Sequence, residues 1–147
     1  MNELLAADLE ASVVDFNVKH RFPVGIEPLT NPANDLLRGH LINEELAEFQ
    51  KALAERDVVK MADGIGDLLY VVVGAGIAYG IPAMRMLEEV CKSNDTKAVR
   101  KEGDSRLRDK GPNFREPDAM KVLLCYAEGW AKREAVRLVS EESAEEI

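Results

Sequence analysis

The 147-residue chain predicts an all-α fold, and three observations carry that prediction. Apolar residues recur at three- and four-residue steps through most of its length. The apolar set is Leu, Val, Ile, Ala and Met with only 5% aromatics, a palette that favours helices over sheets. Proline and glycine gather between the periodic stretches rather than inside them. The expected architecture is a four-helix-bundle-like core with a basic loop and a C-terminal helix, all in a single domain over residues 1–147.

Leu5, Leu9, Val13 and Phe16 step at helical spacing and predict a first helix over residues 2–19. The stretch HRFPVGIEPLTNPAND, residues 20–35, holds three prolines and a glycine and reads as a loop. Asn34 or Asp35 is the expected cap of a second helix, which carries Leu37, Leu41, Ile42, Leu46, Phe49 and Leu53 and runs to about residue 56. Asp57 is the expected cap of a third, over 58–79, amphipathic at first and apolar on every side through 68–78, as a central helix is. Pro82 suits the first turn of a fourth, over 82–93, with Met84, Leu87, Val90 and Cys91 inward. Residues 93–118 are polar, and 96–116 hold seven Lys/Arg against four Asp/Glu. A last helix starts near Pro117 or Asp118, and the acidic end, 140–147, is expected to fray.

The net charge of −8 argues against a partner that is polymeric nucleic acid or an anionic membrane. Cys91 and Cys125 sit at apolar helical positions, are expected to be buried reduced thiols, and show no zinc spacing. The first residues, MNELLAADLE, lack the basic start of a signal peptide. The apolar run 65–79 is short and glycine-rich for a bilayer span. A soluble cytoplasmic protein is expected, in a host's cytoplasm if the chain is phage-encoded.

Carboxylates stand out beside the most apolar segment. Glu45 and Glu48 are three apart and Glu44 and Glu48 four apart, so they share a helix face. Asp63 and Asp67 are four apart on the next helix, and the short connection near 56–58 makes the two helices antiparallel neighbours. Counting back from that turn brings Glu45 and Glu48 level with residues 66–69. Acids gathered there would repel one another and resist burial unless a hard divalent cation joined them. Oxygen-only ligands suit Mg²⁺ or Mn²⁺. A carboxylate-bridged di-iron bundle would want Glu-x-x-His, and neither His20 nor His40 stands so. The plain alternative is a solvated acidic stripe, against which Asp67 stands at the edge of an all-apolar run.

Three stretches in order resemble the MazG-like, all-α nucleoside triphosphate pyrophosphohydrolases, relatives of phosphoribosyl-ATP pyrophosphohydrolase. They are RGHLINEELAEF (38–49, with its EExxE box), ADGIGDLLYVVVGAGIAYGIP (62–82), and the pair EVCKSNDTK and KGPNFREPD (89–97 and 110–118). Many relatives carry Glu three positions before the second-box Asp; here that position is Gly64, and an acid stands instead at Asp63.

The resemblance implies hydrolysis of a nucleoside or deoxynucleoside triphosphate to the monophosphate and pyrophosphate, by attack of metal-activated water on the α-phosphate. It implies two or three Mg²⁺ or Mn²⁺ ions per site and a homodimer or homotetramer. Candidate substrates are dGTP or GTP, dUTP and dCTP. By position, Glu45, Glu48 and Asp67 match metal ligands; either Asp63 replaces the missing Glu or one metal site is thinner; Glu44 matches an acid that joins a second metal or orients the water, so Glu44 and Glu45 are the expected catalytic acids. Asn94, Lys97 and Lys110 match residues that contact phosphates or sugar, with a helix cap and a solvated loop as the plain alternative. Asn113, with Phe114, either holds the base or pins the loop. Arg38 either meets a phosphate or pairs with an acid. Phe16 and Asn17 fall where relatives line the base pocket, and Phe16 also fits the core periodicity of its helix. Phosphoribosyl-ATP hydrolysis and a non-catalytic metal-binding scaffold are the other readings.

Overall fold

The computed structural model describes residues 3–25, 32–98 and 110–129. It is helical, with no strand among the described residues. The elements are α1 (Glu3–Lys19), α2 (Pro32–Glu55), α3 (Val58–Ala78), α4 (Ala83–Asn94) and α5 (residues 119–129). The chain divides into two compact units, Met1–Ala83 and Met84–Ile147.

In the first unit, α3 packs against both α2 and α1. The α2–α3 approach is close because Gly64 has no side chain: a Cβ there would stand 3.2 Å from the Phe49 Cβ. Gly25 does the same for the segment after α1. Its N–H donates to the Ile77 carbonyl at 2.8 Å, and a Cβ on it would lie 2.4 Å from the Gly80 nitrogen.

All three helices of this unit end in the same way. The N–H of Phe22 reaches back to the Asn17 carbonyl, that of Asp57 to Ala52 and that of Ile81 to Gly76, each beside a residue of positive φ. This double-bonded turn satisfies the last carbonyls of a helix and prefers glycine at the left-handed position. Gly80 obeys that preference (φ 64°), whereas Arg21 (φ 59°) and Arg56 (φ 54°) hold the same conformation against the steric bias on L-residues. Asp57 both closes α2 and caps α3, its carboxylate accepting from the N–H groups of Val59 and Lys60 at 3.1 Å each.

In the second unit, α4 leads into a turn stitched to the 110–118 segment. The Ser93 hydroxyl donates to the Arg115 carbonyl at 2.7 Å, and the Thr96 hydroxyl accepts from the Arg115 N–H at 2.9 Å. Asp118 caps α5 by accepting from the Lys121 N–H at 2.9 Å.

Two expectations need correction. α2 starts at Pro32, so Asn34 and Asp35 lie inside its first turn instead of capping it. Proline has no N–H to offer and its φ is already helical, which makes the first turn its natural place. Cys91 and Cys125 are exposed free thiols, not buried ones: periodicity says which face a residue shares, not whether anything covers it. α3 is only partly covered, as expected of an apolar helix that four short helices cannot fully surround: Ile65, Leu69 and Val72 are 49%, 59% and 48% exposed. At 21 residues α3 is also long and apolar enough to cross a membrane by length and composition, since it begins well before the apolar run. The basic side chains Arg100, Lys101 and Arg106, Trp130 and the acidic end lie outside the described residues.

The Asp57 cap yields a test. Hydrogen bonds from the Lys60 backbone, ahead of the Lys60 charge, lower the Asp57 carboxyl below its usual value. A lowered folded value means that the cap's contribution is complete above the ordinary aspartate range and lost as pH falls through the folded value. Asp57→Ala is therefore expected to lower the Tm at neutral pH, with the gap to the wild type closing on acidification. Thermal unfolding of both proteins from pH 7 to pH 2 checks this, and a constant gap would contradict it.

Candidate active site

The α2–α3 pair sets the site. Passing along α3 from Gly64 to Gly74 passes back along α2 from Phe49, beside Gly64, to Arg38, whose Nη1 would stand 3.1 Å from a Cβ on Gly74. The helices therefore run antiparallel, and Glu45 and Asp67 face one another from the middle of this span. The electrostatics agree. Burial raises the Glu45 carboxyl above its usual value, and the charges of Asp67, Glu48, Glu44 and Asp63 push it further, in that order. All five acids expected at the site are within electrostatic reach of Glu45, and every charge acting on Glu45 is another carboxylate. His40 Nε2 stands 4.0 Å from the Glu44 carboxylate.

This donor set fits a hard divalent cation in kind: it is oxygen-only, negative and convergent from two helices. Among the described residues no three His, Cys, Asp or Glu side chains close into a ready-made ligand cage. Mutual repulsion explains an open arrangement, since nothing between the carboxylates draws them together.

Gly64 accounts for the departure in the second box. Its hydrogen faces the Phe49 backbone, with Cα at 3.3 Å and N at 3.5 Å from a built Cβ, so a longer side chain there must push α2 away. Asp63, one position earlier, supplies an acid without entering that contact.

Towards the other end of α2 the expected substrate residues meet. Phe16 is 40% exposed, so it is no core residue. Its ring lies 4.3 Å from the His20 ring, 6.1 Å from Phe22 in a stacked arrangement and 5.7 Å from Tyr70 edge-on. Asn17 is buried, and its Nδ2 donates to the Pro23 carbonyl at 3.4 Å, pinning the turn after α1. The Arg38 guanidinium lies over Phe22 at 5.8 Å. Burial lowers the Arg38 pKa, offset by the Tyr79 and Tyr70 hydroxyls. Among the described residues, the charges acting on it come from Tyr79 and Tyr70. The Tyr79 hydroxyl donates to Asp35 at 2.8 Å and ties the start of α2 to the end of α3. Sequence reasoning missed Asn34, Phe22 and Tyr70. The i, i+4 spacing of Asn34 and Arg38 was the available signal for the first; the aromatic partners come from different segments and left none.

The second unit holds Asn94, Lys97, Lys110 and Asn113. Lys97 bonds the Asn94 side chain, and Lys110 pairs with Glu116. Both ammonium groups also approach the Phe114 ring, at 5.8 Å and 4.7 Å. Phe114 thus gathers two cations on the loop. Asn113 is exposed on the turn before it.

Comparison with known proteins bears on this arrangement. An uncharacterized protein of Acanthamoeba polyphaga mimivirus is 43% identical over 51 residues, which are 35% of this chain. Those residues span 20% of the viral protein's length. The family model described as phosphoribosyl-ATP pyrophosphohydrolase matches residues 19–94, the stretch that contains α2, α3, all five acids and Arg38. The chain belongs to the phosphoribosyl-ATP pyrophosphohydrolase family, a family of nucleotide pyrophosphohydrolases.

Proposed function

We propose that the protein hydrolyses a nucleoside or deoxynucleoside triphosphate to the monophosphate and pyrophosphate, with Mg²⁺ or Mn²⁺ as its cofactor. The observation that supports this best is that Glu44, Glu48, Asp63 and Asp67, carried by α2 and α3, all lie within electrostatic reach of Glu45. Glu45, Glu48, Asp67 and Asp63 would hold the ions, two or three in number. A divalent cation supplies Lewis acidity there, offsetting triphosphate charge and sharpening water as a nucleophile.

The chain's own residues do the rest. Glu44 takes a proton from the attacking water. The water oxygen bonds to the α-phosphorus, the bond from that phosphorus to the bridging oxygen breaks, and pyrophosphate leaves with the bridging oxygen. Phe16, Asn17 and Arg38 take the nucleoside, and Asn94, Lys97, Lys110 and Asn113 are proposed, from their sequence motifs alone, as residues that contact phosphate or sugar. A second reading, hydrolysis of phosphoribosyl-ATP, is favoured by the description of the matching family and breaks the same bond.

Assembly belongs to the proposal. Ile65, Leu69 and Val72 form one apolar stripe along α3 and are all about half exposed or more. A second copy of the chain would cover it, giving a homodimer or homotetramer that works free of membranes in the cytoplasm.

Three outcomes test these statements. Asp67→Ala or Glu48→Ala removes a ligand and is expected to cut pyrophosphate release by about 10²-fold, the scale of an interaction worth roughly 3 kcal/mol. The assay is a panel of triphosphates and phosphoribosyl-ATP with Mg²⁺ and Mn²⁺. Near-normal turnover of Asp67→Ala would refute the ligand assignment, and a panel without pyrophosphate release would leave a metal-binding scaffold. In ¹⁸O-water, one label is expected in the monophosphate and none in the pyrophosphate; label in the pyrophosphate would mean attack on the β-phosphorus. Light scattering at micromolar concentration should find the wild type as an oligomer and Leu69→Glu shifted to a smaller species. A monomeric wild type would refute the assembly.

A further inference from the structure

Among the described residues, three buried polar atoms near the start of α2 have no hydrogen-bond partner: Asn34 Oδ1, Arg38 Nε and Arg38 Nη2. Both side chains are more than nine-tenths buried, Asn34 at 6% and Arg38 at 5% exposure. They are four residues apart on α2 and so lie on one face. One presents an acceptor and the other two donors, yet these atoms do not bond each other. Buried polar groups in folded proteins are nearly always satisfied, so a set left open this way asks for a complementary group.

The surroundings say what kind. The guanidinium borders Phe22, Phe22 stacks with Phe16, and Phe16 meets Tyr70 edge-on. An aromatic cluster beside convergent polar atoms suits a flat heteroaromatic ring. Arg38 stands two turns before Glu45 on the same helix, roughly 10 Å at 1.5 Å per residue. A nucleotide spans such a distance between the far edge of its base and its α-phosphate.

We propose that Arg38 and Asn34 read a nucleobase edge with two adjacent acceptors followed by a donor, which selects guanine or cytosine and rejects adenine, uracil and thymine. This rests on the nucleotide reading of the site above. Guanine offers N7 and O6 to the Nε–Nη2 fork, then N1–H to Asn34 Oδ1. Cytosine offers O2 and N3, then its N4 amino group. Adenine places its amino donor directly beside N7, and uracil and thymine place N3–H between two carbonyls. Each rejected base leaves at least one of the three atoms unmet, and a site with unmet buried polar groups discriminates strongly. Access requires Phe22 to swing off the guanidinium; it lies on the turn after α1 and is 37% exposed.

The test is calorimetric binding of the α,β-methylene analogues of dGTP, dCTP, dATP, dUTP and dTTP to the full chain with Mg²⁺. The guanine or the cytosine analogue is expected to bind at least about tenfold tighter than the adenine, uracil and thymine analogues. Tightest binding of any of those three overturns the proposal. Asn34→Asp gives Arg38 a carboxylate within the chain and closes the open set, so the folded variant is expected to bind all five within about twofold. A preference undiminished in that variant also overturns it. If Asn34→Asp fails to fold, the wild-type panel decides alone. Pyrophosphate release from the ordinary triphosphates is scored separately. Base preference without turnover refutes the hydrolase reading and leaves this inference standing; turnover fastest with dATP or dUTP refutes this inference and leaves the hydrolase reading.

Discussion

Gly64 lying against Phe49 brings the axes of α2 and α3 close, and the candidate site depends on that closeness. Five carboxylates repel, and repulsion alone would part the helices that carry them. Apolar and backbone contact at Gly64, the cap at Asp57 and the Tyr79–Asp35 hydrogen bond hold the pair together at three levels. The acids are thus kept near one another by interactions in which they take no part. That is a common division of labour between a scaffold and the side chains it carries.

The same pair separates two chemistries along one helix. The Glu45 end of the shared face is purely acidic, whereas the Arg38 end is cationic, buried and aromatic. A triphosphate carries its charge at one end and its ring at the other, and α2 displays matching environments two turns apart. Gly74 has a part in this: it clears the space that the Arg38 guanidinium enters.

Local signals were legible in the sequence. Asp57 was readable as a cap because an Asn or Asp cap acts on N–H groups two and three residues away. The antiparallel pairing followed from the short connection, and the sharing of a face by Glu44, Glu45 and Glu48 from helix geometry. What escaped was tertiary. Pro32 began α2 although the cap-forming types at 34 and 35 pointed later. Cys91, Cys125 and Phe16 sat on apolar faces, but a face is buried only where something covers it. Gly64 was visible as a departure from its relatives, while its cause, the Phe49 backbone across the interface, was not. The i, i+4 spacing put Asn34 and Arg38 on one face, but that their atoms go unmet had no sequence signature, because lacking a partner is a property of everything else nearby.

The tight link between α2 and α3 also has a kinetic side. Arg56 and Asp57 alone separate two long helices, and the link carries its own Schellman turn and cap. Contacts near that link join residues close in sequence, so little loop-closure entropy opposes them. Chains dominated by such local contacts collapse fast. The helical hairpin that bears the acids is therefore set to form early in folding, with α1 and the segment after it docking onto a surface already made. The aromatic cluster needs α1, that segment and α3 together, so it is completed only when they dock.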